Sequence, residues 1–68
     1  GNGMMTVKQN GGILIVRDGY GRLVRKLNAV AVTKDWLKLG NAAFYQKYGF
    51  RYTPRGRTLA EATRQMGE

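Results

Sequence analysis

The chain contains no cysteine and no histidine, a single proline and only four acidic residues. Without cysteine, no disulfide and no thiolate-bound metal can hold the fold together. Without histidine, the commonest zinc ligand is missing, as is the one side chain that titrates unperturbed near neutral pH. Long apolar runs are lacking too. The stretch Ile13-Leu14-Ile15-Val16 stops far short of the ~20 residues that span a bilayer, and no signal-peptide pattern is found. The expectation is a cytoplasmic protein with no metal, no other cofactor and no membrane partner.

Catalysis is equally poorly provided for. The four carboxylates Asp18, Asp35, Glu61 and Glu68 fall in a turn, a helix start, a helix cap and the chain end, with no reason to converge as an acid–base pair. No glycine-rich loop runs into Lys-Ser or Lys-Thr to cradle a phosphate. The chain is therefore read as a non-enzyme.

Positive charge is what remains. Twelve Lys and Arg against four Asp and Glu give a formal net charge of +8 on 68 residues. That imbalance repels itself and attracts polyanions within about a Debye length. The hydrophobic fraction of 43% suffices for a globular core. A chain this short buries only about 60% of its unfolded surface, so a second copy completing the core, a homodimer, is compatible with its size. Gly1-Asn2-Gly3 reads as a tag remnant, leaving residues 4–68 as one small basic domain.

The first half has the pattern of sheet. Residues 4–8 form a short strand, and Asn10-Gly11-Gly12 carries a hairpin signal. Residues 13–17 are β-branched and bounded by turns. Asp18-Gly19-Tyr20-Gly21 makes a second turn, and residues 22–27 return with Leu23, Arg25 and Leu27 on one face and Arg22, Val24 and Lys26 on the other. Leu23, Val24, Leu27, Val30 and Ala31 also fit helical spacing, but the Asp-Gly turn favours the hairpin. Residues 30–32 are either a fourth strand or the lead-in to a helix.

The second half has the pattern of helix. Thr33 is the expected N-cap with Asp35 in the first turn, and Gly49 the expected C-terminal cap. Trp36, Leu39 and Ala43, with Leu37, Phe44 and Tyr48 beside them, make a broad apolar face, which Gly40-Asn41 can break in two. After a linker over residues 50–57, Thr58-Leu59-Ala60-Glu61 matches a capping box, with a short helix from Leu59 to Met66 docking through Leu59, Ala62 and Met66. The expected class is α+β: an N-terminal antiparallel hairpin or sheet of two or three strands packed on a central helix, with a short C-terminal helix.

Residues 45–57 interleave Lys47, Arg51, Arg55 and Arg57 with Tyr45, Tyr48, Phe50 and Tyr52 and contain no acid. The cations can neutralise phosphates, and the rings serve either as core or as platforms for unpaired bases. Within this stretch Pro54-Arg55-Gly56-Arg57 resembles the core of an AT-hook, which implies two arginines laid in a narrow minor groove. The second proline of that motif is replaced by Thr58. A helix-turn-helix around Gly40 is disfavoured by Trp36, Gln46 and Gly49 at positions needing small or aliphatic residues. The hairpin gathers Arg17, Arg22, Arg25 and Lys26 around one turn, where they meet nucleic acid or protect strand edges.

The leading expectation is a small DNA- or RNA-binding protein of bacterial or phage regulatory type. Its candidate contacts are Arg22, Arg25, Lys26, Lys47, Arg51, Tyr52, Arg55 and Arg57. The alternative is an interaction or inhibitor protein that docks on an acidic protein surface, such as that of a polymerase or nuclease.

Overall fold

The computed structural model describes residues 4–67. The tag-remnant reading of residues 1–3 lies outside them. The fold is α+β: strands β1 (Thr6–Asn10), β2 (Ile13–Arg17) and β3 (Leu23–Asn28), then helices α1 (Ala29–Tyr48) and α2 (Gly56–Met66). The strands form an antiparallel meander in the order β1-β2-β3. Among the described residues no helix is long and apolar enough to cross a membrane.

Alternation decides which side of the sheet is covered. Leu14 and Val16 are fully buried on one face of β2, flanked by Val7 and Gln9 on β1 and by Leu27 on β3. Helix α1 packs on that face, and Phe44, Phe50, Val32 and Ala29 close the core. The first strand begins two residues later than its sequence suggests, and its hairpin closes through Gly11-Gly12, with Gly11 at φ 61°. Glycine carries that positive φ without a side-chain clash. At the other end of the sheet the Asp18 carboxylate accepts from the Tyr20 and Arg22 amides, and Gly21 N–H donates to the Asp18 carbonyl. The second turn is therefore built as its residues imply.

The N-cap of helix α1 falls five residues before the expected Thr33. Asn28 is its N-cap, its side-chain oxygen accepting from Ala31 N–H at 2.9 Å, and residues 30–32 are helical rather than a fourth strand. Thr33 lies fully buried inside the helix and donates to the Ala29 carbonyl at 2.7 Å. Asp35 is consequently not in the first turn. Burial explains the correction: Ala29, Val32, Thr33 and the half-buried Trp36 recur at helical spacing and face the core. Gly49 caps the C-terminus at φ 80°, as expected.

Gly40, at φ 81° and ψ 173°, breaks α1 into two segments. The break re-aims the chain, so the continuous apolar face does not form. Leu37, Leu39 and Ala43 are exposed, and only Phe44 and Tyr48 of the distal part turn inward. That backbone region is almost exclusive to glycine, although a Cβ there would meet no neighbouring atom. Gly40→Ala is therefore expected to destabilise the fold by about 1–3 kcal/mol through backbone strain alone, measurable as a lower urea midpoint at unchanged slope.

Helix α2 also starts earlier than expected, and the capping box is absent. Arg55 is the N-cap and makes no side-chain cap bond. Thr58 is buried within the first turn and accepts a hydrogen bond from Gln9 Nε2, tying α2 to β1, while Glu61 pairs with Arg57. Ala62 is fully buried and Leu59 half-buried, but Met66 is exposed. Since Gly56 and Arg57 are helical and Pro54 is buried, the extended chain that an AT-hook needs does not exist here.

Candidate nucleic-acid interface

Each of the three described carboxylates already holds a cation. Asp18 pairs with Arg22 at 3.0 Å, Asp35 with Lys47 at 2.7 Å and Glu61 with Arg57 at 3.3 Å. The other nine of the twelve Lys and Arg make no ion pair with a described residue. Among the described residues no group of His, Cys, Asp or Glu is arranged to hold a metal ion.

The expected contacts separate into Lys26, Arg51 and Arg55, exposed without an ion partner, Arg22 and Arg57, exposed but paired with Asp18 and Glu61, and Arg25, Lys47 and Tyr52, held against neighbouring groups. Arg25 faces the helix side, where its register partner is Val16. Its Nη2 donates to the Tyr48 carbonyl at 2.6 Å, and its guanidinium lies 5.8 Å from the Tyr48 ring and 5.7 Å from the Phe50 ring. That arginine joins β3 to the C-terminus of α1, where a cation complements the helix dipole. Tyr52 is half-buried, with its ring 6.1 Å from Phe44 and its hydroxyl 3.1 Å from Thr33 Oγ1, so it is not presented as a stacking platform. Lys47 is held by Asp35 against the Tyr48 ring.

Desolvation opposes it, but the Arg22 and Tyr20 amides and the Arg22 guanidinium hold the Asp18 carboxyl below its ordinary range. At Asp35 the hydrogen bond from Lys47 and then that from Tyr48 do the same. The Tyr48 hydroxyl, donating to Asp35 Oδ2 at 2.5 Å, is pushed up to about 12 by burial first and by the carboxylate second. A folded pKa above the unfolded 10 means stability is complete below pH 10 and falls as pH rises toward about 12. The thermal midpoint is expected to drop across that window, in step with tyrosinate absorbance. Tyr48→Phe should flatten the drop, and an unchanged alkaline profile in that variant would contradict the assignment.

Of the remaining cations, Lys34, Lys38 and Arg64 lie on α1 and α2, and the others lie on the sheet or beside the β1 edge. On the uncovered sheet face, Lys8, Ile15 and Lys26 are register partners across all three strands. Arg17 follows at the end of β2, its Nη1 donating to Gly21 carbonyl at 3.0 Å. Along the β1 edge, residues 51–55 flank a groove of about 340 Å³ whose lining includes Lys8, Arg51 and Arg55. Arg51 also rests 5.4 Å from the exposed Tyr45 ring. Arg55 and Arg57 line a second cleft, of about 490 Å³, beside Gly11 and Gly12. The hairpin tip at Asp18–Arg22 is at the opposite end of the sheet from Gly11 and Gly12, while Arg51 lies beside Met4 and Met5 at the end of β1 that pairs with Arg17.

Lys8 and Arg17 are absent from the contact set expected from sequence. Their signal is the alternation of β1 and β2: once Leu14 and Val16 face inward, Ile15 and Arg17 must face outward, and Lys8 pairs with Ile15. Comparison with protein-family models, curated proteins and solved structures returns no match.

Proposed function

We propose that the chain is a small nucleic-acid-binding protein, a cytoplasmic regulator of bacterial or phage type, that engages the phosphate backbone through Lys8, Arg17, Lys26, Arg51 and Arg55. One observation carries this reading: the uncovered sheet face and the adjoining β1 groove carry these cations, while every described carboxylate is already paired elsewhere. Unopposed Lys and Arg on this face and along its β1 edge supply the electrostatic footprint of a polyanion site. Arg22 and Arg57 stand at its two ends, their charge partly offset by Asp18 and Glu61.

The test is titration of labelled duplex DNA, single strands and structured RNA at two salt concentrations, read by fluorescence anisotropy. Binding that weakens steeply with salt supports the reading. No binding to any of the three at low salt, or a protein partner retained after nuclease treatment, favours the docking of an acidic protein surface instead.

A further inference from the structure

From the geometry of the uncovered sheet face we infer that the ligand is B-form duplex DNA, with β1, β2 and β3 laid face-on in the major groove. This rests on the nucleic-acid reading above and adds to it the class of ligand and the face that meets it. The face is made of Thr6, Lys8 and Asn10 on β1, Ile13, Ile15 and Arg17 on β2, and Val24, Lys26 and Asn28 on β3. No described element packs on it, because α1 lies on the opposite side against Leu14 and Val16.

Three properties of that face select the ligand. First, it carries no acid and no aromatic ring. Phe44, Tyr48, Phe50 and Tyr52 are gathered in or against the core, Tyr20 is in the turn beyond the strands, and the exposed Tyr45 belongs to α1, where Arg51 lies against its ring. Readers of single strands depend on rings that stack on unpaired bases. Second, adjacent strands are about 4.8 Å apart, which sets the Lys8 and Lys26 backbones roughly 10 Å apart with Ile15 midway between them. The B-form major groove is about 12 Å wide. The two lysines then reach the phosphates of opposite walls, and Ile15 lies over the floor, where thymine methyl groups offer an apolar contact. The major groove of A-form RNA is too deep and narrow for this approach. Third, Arg17 is held at the strand end by its bond to Gly21 carbonyl, which fixes a further positive charge for phosphate at that end of the face.

Along the β1 edge, Arg51 and Arg55 are spaced by four residues of non-helical chain, a span of at most about 14 Å, and extend the contact with one phosphate wall. A second copy of this chain is a poorer occupant of the same face, since a two-fold interface would set Lys8, Arg17 and Lys26 against one another.

The test compares two charge-matched double variants of the full chain. Lys8→Gln with Lys26→Gln alters the face; Lys38→Gln with Arg64→Gln alters exposed positions on α1 and α2. With a duplex DNA probe of about 16 base pairs at about 100 mM salt, the first pair is expected to lower affinity at least ~10-fold and the second less than ~3-fold. Amide shifts in the wild-type chain on adding the same duplex should be confined to residues 6–28 and 51–55, a readout independent of any variant. Equal losses in the two pairs overturn the sheet-face inference. So does binding of single strands or duplex RNA as tight as that of duplex DNA, and so do amide shifts centred on α1 or α2, or a dimer that protects β2. In each of those cases nucleic-acid binding itself survives, whereas absence of binding to every probe removes the broader reading.

Discussion

Replacing Phe44 by alanine is expected to leave the chain largely unfolded at room temperature. Phe44 is 1% exposed and sits where the sheet, the distal half of α1 and the returning chain meet. Its ring stacks on Tyr48 at 4.4 Å and meets Phe50 edge-on at 5.7 Å. Truncating a buried phenylalanine typically costs about 3–5 kcal/mol, and a single core in a chain under about 70–80 residues rarely supplies more than that in total. With no disulfide in reserve, the loss consumes the whole margin. Amide-proton dispersion should collapse in Phe44→Ala, while Phe44→Leu, which keeps most of the volume, should retain a cooperative urea transition. A Phe44→Ala variant with an unchanged midpoint would contradict the placement of the core.

The same residues show why some of this fold was legible beforehand and some was not. Turn chemistry was local and therefore readable: Gly11-Gly12, Asp18–Gly21 and Gly49 act through their own φ angles and side chains. Helix starts were harder, because two residue sets competed for each. Thr33 and Thr58 both have good cap chemistry, yet each is drawn into the interior, where its hydroxyl finds a tertiary partner. Asn28 and Arg55 take the boundaries instead. The spacing of Ala29, Val32, Thr33 and Trp36 was the available signal, and short Ala-Val alternation masked it as strand.

The candidate interface divides in the same way. Charge as a total was plain, and Lys26, Arg51 and Arg55 do end on open surface. What composition could not reveal was the pairing of each cation. Arg25 is spent on the Tyr48 carbonyl twenty-three residues along the chain, and Lys47 on Asp35. Tyr52 joins the core because Thr33 lies beneath its hydroxyl. Conversely, Lys8 and Arg17 gain their place from strand register, a property of three segments together.

Raising salt from about 50 to about 200 mM is expected to weaken duplex DNA binding roughly 500-fold. Counterion release sets this magnitude. If Lys8, Arg17, Lys26, Arg51 and Arg55 each neutralise one phosphate, log K falls with log salt at a slope of about −4.5, and a fourfold change in salt multiplies accordingly. Unfolding cannot mimic this result. Nine cations without an ion partner among the described residues repel one another, and salt screens that repulsion, so the free protein grows more stable as binding weakens. Removing Lys8 and Lys26 should reduce the slope to about −2.7, because two fewer counterions are released. Anisotropy titrations over a salt series measure both slopes. A wild-type slope shallower than about −2 would mean that most of these cations never meet phosphate, and that the basic surface serves a protein partner through screened charge alone.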